Sequence, residues 1–503
     1  MNNGRRHSSL YCQYPSRRKF ALSPVRIIFD LTVMFLYHLL FAYLLTIIEC
    51  TPLPSPSSNL LRSLDLPVDE TGATAFSILY GTPLTNFLQI AKSTLVYGES
   101  NILYSHNTTA TASTRTVVRP NVDTVYAEAI FDLSATDVVL TLPAMEEDRF
   151  YLAAFFDPYG DNFASLGSVS SSAAGKYLLQ SKNSSCVGYE GCITSPTAIG
   201  TLLFRVEVKN NNTDVAYVDS YLNNSTLTDI NPHTPSHPAL TVADFDNLSN
   251  TTAISVLQLT ARFETRAVPE TALFQAAVPV ILALAGICNG SYSQPASVNI
   301  TLATALANTS TSAFTDTPSS YPSLGNGWSI LNSSYIGTYD SGMAIIPRAL
   351  TATELYLGNT ANEALYPTLG TTQLSLTDSE AYLFTFSGKP PVADDGFWSV
   401  TMYDNEGYLV SNPENKFAVG DRSNITFPNG ELVYGSGTED GTFQVLVQDA
   451  NSNPPSNWTA NWLPAPSGGS DFTVTFRLYA PTTEASDGSY VYPVVTKGAA
   501  ILA

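Results

Sequence analysis

Histidine and cysteine are nearly missing from this chain, with five of each in 503 residues. Beyond residue 50 the only histidines are His106, His233 and His237, and no C-x-x-C pair occurs, which removes zinc-ribbon and thioredoxin-type sites. His233 and His237 stand four apart, but Pro235 between them forbids the helix that would bring both rings to one face. The H-E-x-x-H, G-x-S-x-G, P-loop and strand-linked G-x-G-x-x-G patterns are absent as well. No metal and no cofactor are therefore expected. Positive charge is also scarce. Arg5, Arg6, Arg17, Arg18, Lys19 and Arg26 precede residue 50 and leave 17 basic against 41 acidic residues after it, a net −24. Such a body repels nucleic acid and anionic membrane surfaces, and nucleic acid is not an expected partner.

What the chain does have is apolar mass. Hydrophobic residues make up 44% and charged residues only 13%, so large cores are available and disorder is not the expectation. The length suggests two domains. Leu31 to Ile48 is a run of 18 residues broken only by Thr32, His38 and Thr46, preceded by the basic cluster. By the positive-inside rule this places the N-terminus in the cytosol and everything after Ile48 across the membrane. The long basic region favours retention as a type II anchor, whereas Ile48 and Cys50 are acceptable before a cut near residue 50, and a start at Met34 would favour a cleaved signal peptide. The body is thus expected in the secretory pathway, anchored through 31–48 or secreted.

Two downstream features agree. There are 13 N-x-Ser/Thr sequons, at Asn107, Asn183, Asn211, Asn223, Asn224, Asn247, Asn250, Asn289, Asn299, Asn308, Asn332, Asn424 and Asn457, where roughly eight are expected by chance from the motif's definition. Cys186 and Cys192 bracket a short loop suited to a disulfide in an oxidising compartment. Cys288 reads as a buried thiol, or as a partner for Cys50 if that residue is retained.

Alternating apolar runs with turn signals between them predict strands at Val125–Phe131, Val138–Leu142, Tyr151–Phe156 and Leu202–Val208. They recur at Tyr382–Phe386, Phe397–Tyr403, Phe443–Val447 and Phe472–Tyr479. Helical spacing marks 74–97, 252–288 (interrupted by Pro269 and Pro279) and Arg348–Leu365, with a Ser/Thr/Asn-rich loop over 289–330. The organisation is a leader (1–50), a Pro/Ser linker (51–73), an N-terminal β-sandwich (74–250), a helical, sequon-rich connector (251–370) and a C-terminal β-sandwich (371–503). The fold class is mainly β with helical insertions, α+β, in two antiparallel sandwich or jelly-roll-like domains.

Arg119-Pro120-Asn121-Val122-Asp123-Thr124-Val125-Tyr126, with Phe131-Asp132-Leu133-Ser134, Asp148-Arg149-Phe150-Tyr151 and the Phe156–Ala164 stretch, resembles the family called domain of unknown function 1254. The segments Gly396–Asp404, Asn412-Pro413, Gly420-Asp421-Arg422, Asn461–Pro466 and Arg477–Pro481 resemble the companion domain of unknown function 1214. The resemblance spans roughly residues 75 to 495. It implies two sandwich-like domains and no agreed reaction.

Within these motifs, Arg119, Asp123 and Tyr126 are the candidates for proton transfer and charge stabilisation at a strand end. Asn121, Asp157, Tyr159 and Asn162 are candidate polar ligand contacts, although Asn and Asp at such places also cap turns. The oxygen-rich Asp157–Asn162 loop fits no EF-hand spacing. Trp398, Tyr403 and Trp462 read either as packing or as stacking platforms for a sugar or terpenoid. Asp123 and Asp157 would form an acid–base pair if they met in a cleft. Two readings stand side by side: a metal- and nucleotide-independent enzyme acting on a small organic molecule, and a non-catalytic carbohydrate- or metabolite-binding protein.

Overall fold

The structure is a computed structural model describing residues 55–115, 118–182, 185–209, 212–268, 271–339, 344–370, 373–435 and 441–503. The apolar 31–48 run, Cys50, Asn183, Asn211 and Pro269 lie outside the described residues. No helix among the described residues is long and apolar enough to cross a membrane.

The N-terminal half is a sandwich. One sheet has the strand order Tyr104–Ser105, Thr124–Asp132, Ile199–Glu207, Tyr151–Phe156, Asn162–Gly167. The other runs Gly191–Thr194, Gly175–Gln180, Asp137–Leu142, Thr226–Ile230. Neighbouring side chains on a strand point to opposite faces. Val125, Ala127, Ala129 and Phe131 therefore pack inward with Val138, Leu140 and Leu179 of the facing sheet. The alternate residues Tyr126, Glu128 and Ile130 turn outward, and that outer face positions the candidate site. The only parallel pair among the described residues of this half is Gly175–Gln180 with Gly191–Thr194, on the edge where Cys186 and Cys192 form a disulfide. Such a bond accords with an oxidising compartment.

The C-terminal half repeats the layering. A seven-stranded sheet centred on Val392–Asp404 and Phe472–Pro481 faces a four-stranded sheet ordered Trp462–Ala465, Phe443–Asp449, Glu380–Phe386, Val494–Ala499. Their shared core is aromatic, with Trp328, Phe386, Trp398, Phe443 and Phe476 in mutual contact.

Helices fill the space against the outer faces. Glu70–Gly81 and Pro83–Leu95 replace the single predicted helix, because Pro83 starts a new first turn, where its missing N–H costs nothing. Two other expectations fail. The segment read as a linker contains a helix, Pro56–Ser63, capped by the Ser55 hydroxyl, with Leu60 and Leu61 buried. The segment read as loop holds the helix Ile300–Thr315. Thr, Ser and Asn, weak helix formers, dominate its second half, but the Asn299 side chain caps Thr301 and Leu302, and Ala303 and Ala307 bury one face. The helix expected over Arg348–Leu365 runs Ile345–Leu355, and the chain beyond it supplies the Ala364–Leu365 strand.

Candidate functional site

The outer face of the N-terminal sheet meets the C-terminal seven-stranded sheet around a cavity of about 200 Å³. Strand register explains its composition. Tyr126 lies opposite Arg205, and Glu128 opposite Leu203, so all four project from one face. Arg477 and Tyr479, two residues apart on Phe472–Pro481, project from the other side. The Leu355–Leu357 corner and Tyr366 close one flank, and Arg119, Pro120 and Asn121 another.

Two arginines dominate the floor. Arg205 is 4% exposed and Arg477 1%. Arg205 Nη1 donates to the Tyr479 hydroxyl at 3.0 Å, and its guanidinium stands over the rings of Tyr126 (5.3 Å) and Tyr479 (5.7 Å). Arg477 Nη2 donates to the Arg119 carbonyl at 2.8 Å, and its guanidinium lies 5.4 Å from the Tyr403 ring centre. Arg205 Nε and Arg477 Nη1 have no hydrogen-bond partner among the described residues. Neither arginine forms an ion pair with a described carboxylate, whereas the buried Arg149 and Arg422 both do. Glu363 acts on Arg205 only at longer range; burial pushes its carboxyl up to about 7. Arg119 is held at φ 51°, a left-handed conformation that few non-glycine residues adopt.

The same face carries, farther along the strand, a histidine–carboxylate pair. His106 Nε2 lies 3.4 Å from Glu128 Oε1, which also accepts from Thr94 Oγ1 at 3.0 Å. The hydrogen bond to Glu128 raises the His106 pKa against an opposing effect of burial. Burial raises that of Tyr126, so its hydroxyl stays protonated.

The predicted site residues divide into four groups. Arg119, Asn121 and Tyr126 line the cavity, and Asn121 Nδ2 donates to the Tyr479 hydroxyl at 2.7 Å. Asp123 does not line it. Its carboxylate is 1% exposed and is held by Arg422 Nε (2.7 Å), Arg422 Nη2 (2.6 Å) and Ser399 Oγ (2.6 Å), all from the C-terminal half. Asp157, Tyr159 and Asn162 form a separate cluster that fixes the turn after Tyr151–Phe156. Asp157 Oδ1 accepts from the amides of Tyr159 (2.8 Å) and Asp161 (2.9 Å), and Asn162 Nδ2 donates to the carbonyls of Phe155 (3.1 Å) and Ala164 (2.9 Å). Arg348 lies 4.4 Å from the Tyr159 ring centre. Burial pushes the Asp157 carboxyl up to about 6.

Trp398, Tyr403 and Trp462 are buried packing residues that do not line the cavity. Their polar atoms are satisfied internally: Trp398 Nε1 by Tyr434, the Tyr403 hydroxyl by the Pro120 carbonyl, and Trp462 Nε1 by the Gln448 carbonyl. No cluster of three or more His, Cys, Asp or Glu residues suited to a metal occurs among the described residues.

Arg205, Arg477, Glu128 and the use of His106 escape sequence reasoning. One signal was present: a charged residue inside the otherwise apolar runs Leu202–Val208 and Phe472–Tyr479 demands a partner or a ligand.

Residues 100–229 match the family described as Protein of unknown function (DUF1254), and residues 363–483 the one described as Protein of unknown function (DUF1214). No curated protein matches the sequence at a significant level. The chain is similar in fold to the VPA0106 protein from Vibrio parahaemolyticus. The identity is 16% and the TM-score 0.55, over 85% of this chain and 99% of that one. A putative uncharacterized protein from Burkholderia cenocepacia aligns at 15% identity and TM-score 0.39, over 88% of this chain and 93% of the other.

Proposed function

Because this chain joins a DUF1254 region to a DUF1214 region, neither of which brings an assigned reaction, we propose its function from the cavity between them: it binds a small organic molecule there. The observation that carries this reading is convergence. Polar side chains from both halves point into one partly open, partly apolar space whose walls include Leu203, Leu355 and Leu357. A volume of about 200 Å³ lies below the ~300–1,000 Å³ of sites for drug-sized ligands, so the ligand is small. Leu203→Trp fills this space from a rigid strand. In a thermal-shift screen of small metabolites, wild type is expected to give stabilising ligands that Leu203→Trp does not. Ligands acting equally on both proteins would remove the cavity from consideration.

The His106–Glu128 pair favours a second reading, in which the bound molecule is also transformed. A histidine held by a carboxylate on the wall of a ligand cavity is placed for proton transfer. His106→Gln would then keep ligand affinity and lose turnover.

The body is also proposed to be a glycoprotein of the secretory pathway, secreted or held as a type II membrane protein by 31–48. Of the eleven described sequon asparagines, ten are exposed and Asn332 is half-buried, which leaves them accessible to modification. Digestion with a peptide N-glycosidase is expected to lower the apparent mass of the protein made in a eukaryotic host by several glycans. An unchanged band would end this proposal.

A further inference from the structure

We infer that the ligand is an organic anion whose carboxylate or phosphate group sits between Arg205 and Arg477. The inference rests on the cavity reading above and adds the chemistry of the ligand.

A buried guanidinium without a carboxylate is costly to keep charged, and folded proteins pair nearly all such groups. This chain pairs Arg149 with Glu146 and Asp214, and Arg422 with Asp123. Arg205 and Arg477 depart from that pattern and do so at one cavity; Arg348, the other buried arginine without an ion pair among the described residues, lies elsewhere against the rings of Tyr80 and Tyr159. Each spends part of its donor set on a neutral oxygen, Tyr479 Oη for one and the Arg119 carbonyl for the other. Each keeps a buried N–H group without a partner among the described residues, Arg205 Nε and Arg477 Nη1. Tyr479 ties the two together, since it accepts from Arg205 and follows Arg477 by two positions on the same strand face. Arg119, the third arginine of the wall, adds positive charge at the same end. Planar guanidinium forks match the oxygens of carboxylates and phosphates.

The far end of the same face limits the rest of the molecule. Glu128 lies two residues beyond Tyr126 on the strand, about 7 Å along it. Its carboxylate repels a second anionic group and accepts from a hydroxyl or amine. Leu203 and Leu357 line an apolar stretch of the wall. The class is therefore a small organic acid or phosphate monoester with a single anionic group and a compact apolar body.

The test uses the purified full chain and isothermal titration with matched probes. Benzoate is set against benzamide, and phenyl phosphate against phenol, with inorganic phosphate as the body-free control. The anions are expected to bind about tenfold to a hundredfold more tightly than their neutral counterparts. Benzoate leading identifies a carboxylate ligand, and phenyl phosphate leading a phosphate ester. Arg205→Met and Arg477→Met should each erase that preference while sparing the binding of the neutral probe. Because either buried substitution threatens folding, the wild-type comparison of anion with neutral isostere decides by itself. Equal binding of the two members of each pair overturns the inference, and so does the failure of every anion to bind. Leu203→Trp separates the two levels. Neutral probes that bind wild type as well as anions do, and are lost in Leu203→Trp, leave the cavity reading intact and sink the anion. Anion binding that survives Leu203→Trp sinks the cavity reading instead.

Discussion

Replacing Asp123 with alanine is expected to destabilise the protein by about 3–5 kcal/mol, the usual cost of removing one partner of a buried ion pair. Asp123 is almost fully enclosed, and three donors from the other half of the chain converge on its two oxygens. Removing the carboxylate leaves the Arg422 guanidinium buried beside Asn212 and the Val122 carbonyl, neither of which neutralises it. Asp123→Asn keeps one acceptor for Ser399 and should cost less than alanine; Ser399→Ala removes a single charge-assisted hydrogen bond, about 1.5–3 kcal/mol. In a double-mutant cycle with Arg422→Ala, the combined loss should fall well short of the sum of the single losses, since either change breaks the same contact. Denaturant unfolding of these variants measures all four terms. A loss below about 1 kcal/mol for Asp123→Ala would mean that the pair is no better than one exposed to solvent.

Heating the protein at about pH 5 and about pH 8 should give the higher Tm at the lower pH, by several degrees. Burial pushes Glu207 up to about 8, with the Asp421 charge adding to it, and Asp421 up to about 7. Glu363 follows at about 7 and Asp157 at about 6, again through burial. A carboxyl whose folded pKa lies above its unfolded value holds a proton in the native state that the unfolded chain has already released. Between about pH 4 and pH 8 the native state therefore binds more protons, and stability falls by about 1 kcal/mol per pH unit for each group within its window. The acidic body adds the same sign, because its self-repulsion grows with pH. Asp148, Glu380 and Glu484 act the other way, held low by hydrogen bonds at the surface, where screening makes them weak. Glu207→Gln combined with Asp421→Asn should flatten the profile. A Tm that stays level or rises from pH 5 to pH 8 would contradict this account.

The strands were legible because alternate positions are apolar, as Val125, Ala127, Ala129 and Phe131 or Phe472, Val474, Phe476 and Leu478 are, although contacts on the second face bury much of it too. The helix Ile300–Thr315 was not, since its Thr, Ser and Asn residues have low intrinsic propensity, and the Asn299 cap and the packing of Ala303, Ala307, Leu306 and Phe314 against the core secure it. The same limit applies to the site. Arg119, Asn121 and Tyr126 were found because they share one short motif. The partner that holds Asp123 is 299 residues away, and the arginine that completes the cavity floor lies on a strand 272 residues beyond Arg205. Local pattern carries no information about which distant strands will face each other.

Division of the cavity wall between the two sheets has a consequence for any shortened form of the protein. A fragment ending before residue 363 would retain Tyr126 and Arg205 but lose Arg477, Tyr479 and the residues that clasp Asp123. Each half thus holds only part of the cavity wall, and a ligand bound as proposed would act as a bolt across the seam. Whatever enters the cavity resists the parting of the two sandwiches, and whatever parts them expels it.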